Sequence, residues 1–210
     1  MYVPRPNAMD DDDVRGFVKD VGAAEVITVD ASGQPQSTFL PIVWDGDRVI
    51  AHFARANPHW EQIRNGAPVL LVVRGAHAYV SPSWYATKLE HGKVVPTWNY
   101  SSVHLRGTAE VFHDPARLEH AVTLLTETHE SEREDAWAVT DAPSDFIASM
   151  LTGIVGVEIH VQSVEAKAKL SQNRPVADRM GVISGLEAEN NARGEHLVAE
   201  AMQRSLPDEG

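Results

Sequence analysis

The first third of the chain alternates short β-prone segments with tight turns, and this alternation restricts the fold more than any other feature. The segments are Glu25 to Val29, Gln34 to Trp44 and Arg48 to Ala54. The turns between them are Asp30-Ala31-Ser32-Gly33 and Asp45-Gly46-Asp47, whose residue types favour chain reversal. Connections this short join antiparallel neighbours, so the pattern predicts an antiparallel meander.

Later segments extend the sheet to roughly seven strands. Residues 69–74 form a continuous apolar run, 78–81 extend or pair with it, and strands are predicted at 102–113 and 154–161, with loops over 81–100. Helices are predicted over 10–22, from Pro58, from Pro115, from Pro143 and at about 187–204. We therefore expect a mainly β fold with peripheral helices (α+β). It is a small antiparallel barrel over 1–187, followed by a C-terminal helix and tail over 188–210.

Composition excludes several classes of site and partner. The 210 residues include no Cys, which removes disulfides, thiolate metal sites and cysteine nucleophiles. The formal charge of −12 opposes binding to nucleic acid, and the longest one-sign run, Asp10 to Asp13, is acidic. The start has no signal-peptide pattern, and no apolar run approaches the ~18 residues that span a bilayer. We expect a cytoplasmic protein that binds neither membranes nor nucleic acid.

The stretch from His52 to Trp60 has the form of a strand end, a short turn and a helix start. Asn57 is a good N-cap and Pro58 fits the first helical position, which places His59 at the second. The partial positive charge of a helix start disfavours an imidazolium, so the His59 ring is expected to be neutral. A neutral histidine here is a cap, a proton carrier or a metal ligand, and the residues alone leave these three roles open.

Two predicted loops and one later run combine aromatic, polar and cationic side chains. Residues 81–85 and 96–100 place hydroxyl and amide groups beside Trp and Tyr rings. This combination suits a flat, conjugated cofactor, which needs stacking surface and a few directional hydrogen bonds. The run from Lys167 to Arg174 adds three cations that suit a phosphate, a propionate or a substrate carboxylate. No glycine-rich phosphate loop or dinucleotide fingerprint is present.

Several blocks of the sequence resemble, in the same order, the PaiB-like family, usually described as FMN-binding negative transcriptional regulators. They are Met1-Tyr2-Val3-Pro4, residues 54–58, 79–85 and 95–100, Val103-His104, and residues 169–174. The resemblance covers residue 1 to about residue 187. It implies a flavin-type split β-barrel that forms a homodimer with the cofactor between subunits.

One position departs from the commoner family pattern, in which the residue after Asn57-Pro58 is Gln or aliphatic. His59 stands there, and the sequence in this respect resembles the haem-dependent piperazate synthases, a subgroup that shares the fold. That resemblance implies haem b with His59 as the axial iron ligand. It also implies cyclisation of N5-hydroxy-L-ornithine to L-piperazic acid, with formation of an N–N bond and loss of water.

The implied reaction is redox-neutral, which favours haem over FMN at this stage, because a Lewis-acidic iron can make the hydroxylamine nitrogen electrophilic. Arg55 and Lys169 are candidates for pairing with haem propionates or the substrate carboxylate. Thr38, Ser81 and Tyr85 are candidate catalytic residues that position substrate or relay a proton. The remaining candidate cofactor-binding residues are Trp98, Asn99, Tyr100, Gln172 and Asn173. The alternatives are an FMN-binding oxidoreductase or regulator, and a DNA-binding repressor, which the net charge disfavours.

Overall fold

The computed structural model describes residues 1–189 and 194–207. The α-helices are α1 (Asp11–Val21), α2 (His59–Gln62), α3 (Thr87–His91), α4 (Pro115–Glu130), α5 (Ser144–Leu151), α6 (Val176–Ala188) and α7 (Glu195–Arg204). The strands are β1 (Ala23–Val29), β2 (Pro35–Pro41), β3 (Val43–Asp45), β4 (Arg48–Ala54), β5 (Ala67–Val80), β6 (Thr97–Phe112) and β7 (Ile154–Lys169). Short 3₁₀ helices cover Arg5–Asn7, Pro82–Trp84 and Val139–Asp141.

The seven strands form one sheet in the order β2-β1-β5-β6-β7-β4-β3. Both predicted hairpins are confirmed, since β1 pairs with β2 and β3 pairs with β4, each in antiparallel register. The predicted meander is wrong in one respect, because the two hairpins lie at opposite ends of this order. Residues 34–44 do not form one strand: Ile42 leaves the ladder and its N–H donates to the carbonyl oxygen of Gly22 at 2.9 Å.

Other element boundaries also differ from the prediction. The segments at 69–74 and 78–81 belong to the single strand β5, while β6 begins at Thr97 and β7 continues to Lys169. Helix α3 replaces part of the predicted loop. Helix α6 was missed, because its buried Asp178 and Arg179 and its exposed Val176 and Met180 interrupt the apolar periodicity that predicts a helix. Of the helix predicted over 187–204, residues 190–193 lie outside the described residues.

Contacts divide the chain into two compact units, with the boundaries falling inside β5, β6 and β7. The inner unit comprises Asp11–Val73 and Val103–Glu165, and the terminal unit comprises Met1–Asp10, Arg74–Ser102 and the described residues from Ala166 onward. Apolar side chains of β1, β4, β5, β6 and β7 form the core of the inner unit. The core of the terminal unit is built chiefly from β5, α6 and α7. The predicted division after residue 187 stays a prediction.

Glu158 of β7 is the centre of a charged cluster in the inner unit. Its carboxylate is 2.9 Å from Arg48 Nη1, 3.5 Å from Arg117 Nη2 and 3.4 Å from His160 Nε2, and the residue is 8% exposed. Glu158→Gln is expected to lower the free energy of unfolding by about 1–3 kcal/mol, since it leaves two guanidinium groups without their shared anion. Urea denaturation checks this, and Glu61→Gln, at an exposed site, should change stability by less than about 0.5 kcal/mol. Equal stability of the two variants would contradict the prediction.

Candidate functional site

Two clusters bring some of the predicted site residues together, and the first surrounds His59 in the inner unit. His59 is only 4% exposed. Its Nε2 lies 2.8 Å from Thr28 Oγ1, and its Nδ1 lies 2.8 Å from Thr38 Oγ1. The ring also meets Phe53 edge to face, with the ring centroids 5.3 Å apart. A hydroxyl can donate or accept, so the two threonines satisfy either neutral tautomer of the imidazole.

The turn before α2 sets the position of His59. The Asn57 side-chain oxygen accepts from the His59 N–H at 3.0 Å, which is the capping contact expected of it, and the Asn57 amide donates to Thr38 Oγ1 at 3.3 Å. The helix begins at His59 itself, one residue later than predicted. The pKa of His59 is lowered as expected, but the cause is burial of the ring. A helix of four residues supplies little dipole.

Three histidines of the inner unit make stability depend on pH. Burial lowers the pKa of His52, His59 and His104 below the ordinary value of 6.5. The unfolded chain therefore binds more protons near pH 6, and the free energy of unfolding should fall as pH drops from 7.5 to 5.5. Each histidine that stays neutral contributes up to about 1.4 kcal/mol per pH unit. Urea denaturation at several pH values measures this slope. His59→Gln should reduce it, and a slope unchanged in that variant would contradict the assignment.

The second cluster lines a cavity of about 310 Å³ in the terminal unit. Its polar lining residues are Thr97, Lys169, Ser171, Asn173 and Arg174, with Asn7 and Tyr85 beside them. No carboxylate occurs among the described residues that line it. The cavity therefore carries two positive charges without a lining acid, which is the charge pattern of an anion-binding site.

Neighbouring groups hold both cations of this cavity in place. The Lys169 ammonium donates to Thr97 Oγ1 at 2.5 Å and to the carbonyl oxygen of Trp98 at 2.7 Å. Burial lowers the pKa of Lys169, and the charge of Lys167 lowers it further. The Arg174 guanidinium lies 4.5 Å from the centroid of the Tyr85 ring. Burial also raises the pKa of the Tyr85 phenol. The Tyr85 ring is thus the floor on which Arg174 stacks.

Ser171, at the edge of the same cavity, adopts a φ of 62°, in the left-handed region that costs a non-glycine residue about 1–3 kcal/mol. Asn99 offsets this cost. Its side chain is fully buried, its amide donates to Ser171 Oγ at 3.0 Å, and Ser171 Oγ donates to Asn99 Oδ1 at 3.2 Å in the alternative hydroxyl orientation. Asn99 does not line the cavity, so it positions Ser171 and lies behind the site.

The other candidate residues are dispersed. Gln172 is bonded within its own turn, and Ser81 caps the 3₁₀ helix that follows it by accepting from the Ser83 N–H. Trp98 is 46% exposed on β6 and packs near His77 and Tyr79, while Tyr100 lies under Lys167. Arg55 is in the inner unit, where it donates to two backbone carbonyls. Thr38 and His59 are therefore brought together, as are Tyr85, Lys169 and Asn173.

The predicted site residues do not include Thr28, Thr97 or Arg174, which belong to the two clusters. Thr28 sits on β1 within an apolar segment, where nothing in the pattern distinguishes it from a structural threonine. Its relation to His59 depends on how β1 packs beneath α2. Arg174 and Thr97 lie within the stretches that sequence analysis marked as polar, and only the cavity distinguishes them from the dispersed residues of those stretches.

Comparison with solved structures defines the fold class. The "conserved hypothetical protein Rv2991 from Mycobacterium tuberculosis" matches with a TM-score of 0.61 at 14% identity, over 83% of this chain and 94% of that one. The "FAD and Heme binding protein from Mycobacterium smegmatis" matches with a TM-score of 0.61 at 15% identity, over 84% and 79%. The predicted α+β fold of the flavin-type split-barrel class is confirmed.

Sequence comparison then gives the family. The model described as "Putative FMN-binding domain" matches residues 1–163. The "Protease synthase and sporulation protein PAI 2" of Bacillus subtilis is 33% identical over 211 residues, covering 98% of each chain. The chain belongs to this PaiB-like, FMN-binding-domain family.

No helix in the described part of the chain has the length and hydrophobicity to cross a membrane.

The haem prediction meets a geometric obstacle at His59. An axial ligand needs a ring nitrogen whose lone pair faces the iron. Both His59 nitrogens are hydrogen-bonded to threonines, and 4% of the residue is exposed. The described arrangement therefore does not present His59 to a haem, and ligation requires one threonine contact to open.

Proposed function

We propose that this protein binds FMN, with the phosphate held in the cavity between Lys169 and Arg174, and that it acts as a flavin-dependent oxidoreductase. One observation carries the proposal: the terminal unit has a cavity with two cations and no lining carboxylate among its described residues. The family to which the chain belongs is itself described as FMN-binding, which supports the same cofactor.

The lining of this cavity suits a phosphate dianion. Two of the three N–H bonds of Lys169 are directed at Thr97 and Trp98, so the ammonium is fixed in orientation and keeps one donor for a ligand. Arg174 offers a planar, permanently charged fork that suits two phosphate oxygens. The Thr97 and Ser171 hydroxyls and the Asn173 amide line the same cavity and are further donors. Neutral riboflavin would lose most of these contacts.

FMN, when bound, would supply hydride and single-electron transfer. The residues of this chain would bind and orient it. Tyr85 keeps the Arg174 plane in position, and Asn99 keeps the Ser171 hydroxyl in its left-handed turn. A neutral imidazole at His59 would be a proton acceptor near neutral pH if one threonine contact opened.

The test compares FMN with riboflavin, which differ only in the phosphate. Flavin fluorescence quenching should show that Lys169→Met and Arg174→Met each weaken FMN binding by about tenfold to hundredfold. Riboflavin binding should change by less than about threefold. Lys88→Met, at an exposed lysine of the same unit, is the matched control. Equal losses for FMN and riboflavin would contradict the phosphate assignment, and absence of flavin binding by the wild-type protein would end the proposal.

A second candidate is the haem-dependent dehydrative cyclase that converts N5-hydroxy-L-ornithine to L-piperazic acid. The observation that favours it is the lowered pKa of the buried His59, which keeps the imidazole in the neutral form that binds a metal. If the Thr38 contact opened, Thr28 would still hold the opposite ring nitrogen, as outer partners do for metal-ligating histidines. A solved neighbour of the fold is named for binding both FAD and haem, which supports either cofactor.

Haem titration separates this second candidate from the first. A Soret band that forms on adding hemin, and that is lost in His59→Ala, supports haem ligation. Thr38→Val should then strengthen haem binding, because it removes the contact that competes for Nδ1, whereas Thr28→Val should weaken it. A Soret band unchanged in His59→Ala would overturn the ligand assignment. Turnover of N5-hydroxy-L-ornithine, followed by mass spectrometry, decides the reaction itself.

The homodimer remains part of this proposal. Phe39 of β2 is 65% exposed and Val29 of β1 is 62% exposed, on strands at one end of the sheet order. The two side chains lie on the same face of the β1–β2 hairpin, where a second copy of the chain would cover them. Light scattering should give twice the mass of 23.0 kDa for the wild type, and Phe39→Lys should shift the protein toward monomer. A monomeric wild type would overturn this part.

A further inference from the structure

A further cavity in the inner unit shares no described lining residue with either cluster. Its volume is about 1030 Å³, which lies at the upper end of the range found for ligand pockets. Helices α4 and α5 and the 3₁₀ helix Val139–Asp141 form its walls. Leu118, Val139, Ile147 and Leu151 give it an apolar interior. None of the residues that hold His59, and no residue of the terminal-unit cavity, lines it.

A fixed positive charge stands at this cavity. Arg55 lines it, and its guanidinium donates from Nε to the carbonyl oxygen of Thr152 at 2.6 Å and from Nη2 to that of Ile154 at 2.9 Å. The Arg55 carbonyl in turn accepts from Trp60 Nε1 at 2.9 Å. These partners are neutral, and within the described residues no carboxylate pairs with Arg55. The charge is therefore held in place without being neutralised.

The remaining polar lining is sparse and lies mainly on exposed residues. His113 packs edge to face on Trp60, with the ring centroids 5.4 Å apart. Glu119 also lines the cavity, from an exposed position on α4 where water can solvate its carboxylate. Thr140 and Ser144 contribute hydroxyls. One immobilised cation beside an apolar interior favours a ligand that carries an anionic group on an apolar body.

We propose that this cavity binds an amphipathic organic anion, with its apolar body between α4 and α5 and its carboxylate or sulfonate on Arg55. Removal of the apolar body from water drives binding. Arg55 selects the sign of the head group. It needs little reorganisation to do so, because its backbone contacts already fix the guanidinium. This site is independent of the FMN phosphate cavity.

Binding is tested with 1-anilinonaphthalene-8-sulfonate as the fluorescent probe and dodecanoate as the competitor. Dodecanoate should displace the probe at least about tenfold more effectively than dodecyltrimethylammonium, whose chain is the same and whose charge is opposite. Arg55→Met should remove most of this preference, and Arg55→Lys should retain part of it. Equal displacement by the two surfactants, or a preference that persists in Arg55→Met, would overturn the role of Arg55.

Two further variants locate the ligand and separate it from a general apolar surface. Ala148→Trp fills the cavity and should weaken dodecanoate binding by about tenfold or more, whereas Ser149→Trp, on the same helix outside the lining, should not. Glu119→Gln should strengthen anion binding, because it removes the carboxylate found among the described residues that line the cavity. If both Trp variants behave alike, the ligand lies elsewhere. If Glu119→Gln weakens binding, the ligand carries a cation and the proposal is wrong.

Discussion

Gly181→Ala is expected to destabilise the terminal unit by about 3 kcal/mol or more, or to prevent its folding. A Cβ at this position of α6 would stand 2.1 Å from the carbonyl oxygen of Trp84. The obstacle is backbone, so no side-chain rotation can relieve it. Alanine is the better helix former by only about 1 kcal/mol, so the clash decides the sign. Thermal and urea denaturation followed by circular dichroism give the measurement.

Gly16→Ala is the matched control for this variant. Gly16 also lies inside a helix, α1, but nothing stands within 4 Å of where its Cβ would be. Helix propensity should therefore dominate there, and Gly16→Ala should be neutral or stabilising by up to about 1 kcal/mol. If Gly181→Ala were as stable as Gly16→Ala, the close approach of α6 to the Pro82–Trp84 turn would be wrong. The floor of the phosphate cavity would then need revision, since Tyr85 follows that turn directly.

Asp178→Ala is expected to lower the free energy of unfolding by about 2–4 kcal/mol. The Asp178 side chain is fully buried, and its two oxygens accept from the backbone N–H and the hydroxyl of Thr87 at 2.9 and 2.8 Å. Removing the carboxylate leaves both donors at the start of α3 unsatisfied. The relief of a buried charge offsets part of this loss, which is why the expected range stops short of two full charged hydrogen bonds.

Asp178→Asn and Thr87→Val define how this contact works. Asparagine keeps an acceptor for the Thr87 N–H, so it should recover at least about half of the loss. A double-mutant cycle between Asp178→Ala and Thr87→Val should give a coupling of about 1 kcal/mol or more, measured by urea denaturation. Asp12→Ala, at an exposed carboxylate of α1, should cost less than about 0.5 kcal/mol. Additive losses in the cycle would contradict a direct contact.

Gly181 and Asp178 both lie in helix α6, which the apolar pattern of the sequence does not predict. Helix α6 has two buried charged residues, Asp178 and Arg179, on the side where a pattern search expects apolar ones. Arg179 donates from Nη2 to Ser205 Oγ and to the carbonyl oxygen of Ser205, at 2.6 and 2.7 Å. Ser205 is 26 residues away in the sequence, so the residues around Arg179 do not indicate that a buried charge is stabilised there.

For the candidate site, the sequence predicts several of the residues but not which of them lie together. The sequence predicts site roles for His59 and Thr38 for separate reasons, and only the structure places Thr38 Oγ1 2.8 Å from His59 Nδ1. The sequence identifies the run from Lys167 to Arg174 as cationic. In the structure Lys167 reaches the carbonyl oxygen of Tyr2, while Lys169 and Arg174 line the cavity. Lys167 and Lys169 are two residues apart in β7, so alternation along the strand would place them on the same face, and only the packing around the end of the strand separates their contacts.

The sequence by itself determined the approximate positions of most strands, the two hairpins, the capping residues Asp114 and Asn57, and the family to which the chain belongs. These depend on local periodicity, turn chemistry and capping, which act over a few residues. Tertiary structure decided the sheet order, helix α6 and the hydrogen-bond partners of His59. A lowered pKa of His59 was predicted from the helix start, but burial of the ring, which depends on the tertiary structure, is its cause. That two threonines from different strands would hold both of its nitrogens was not predicted, because such contacts arise only when distant segments pack together.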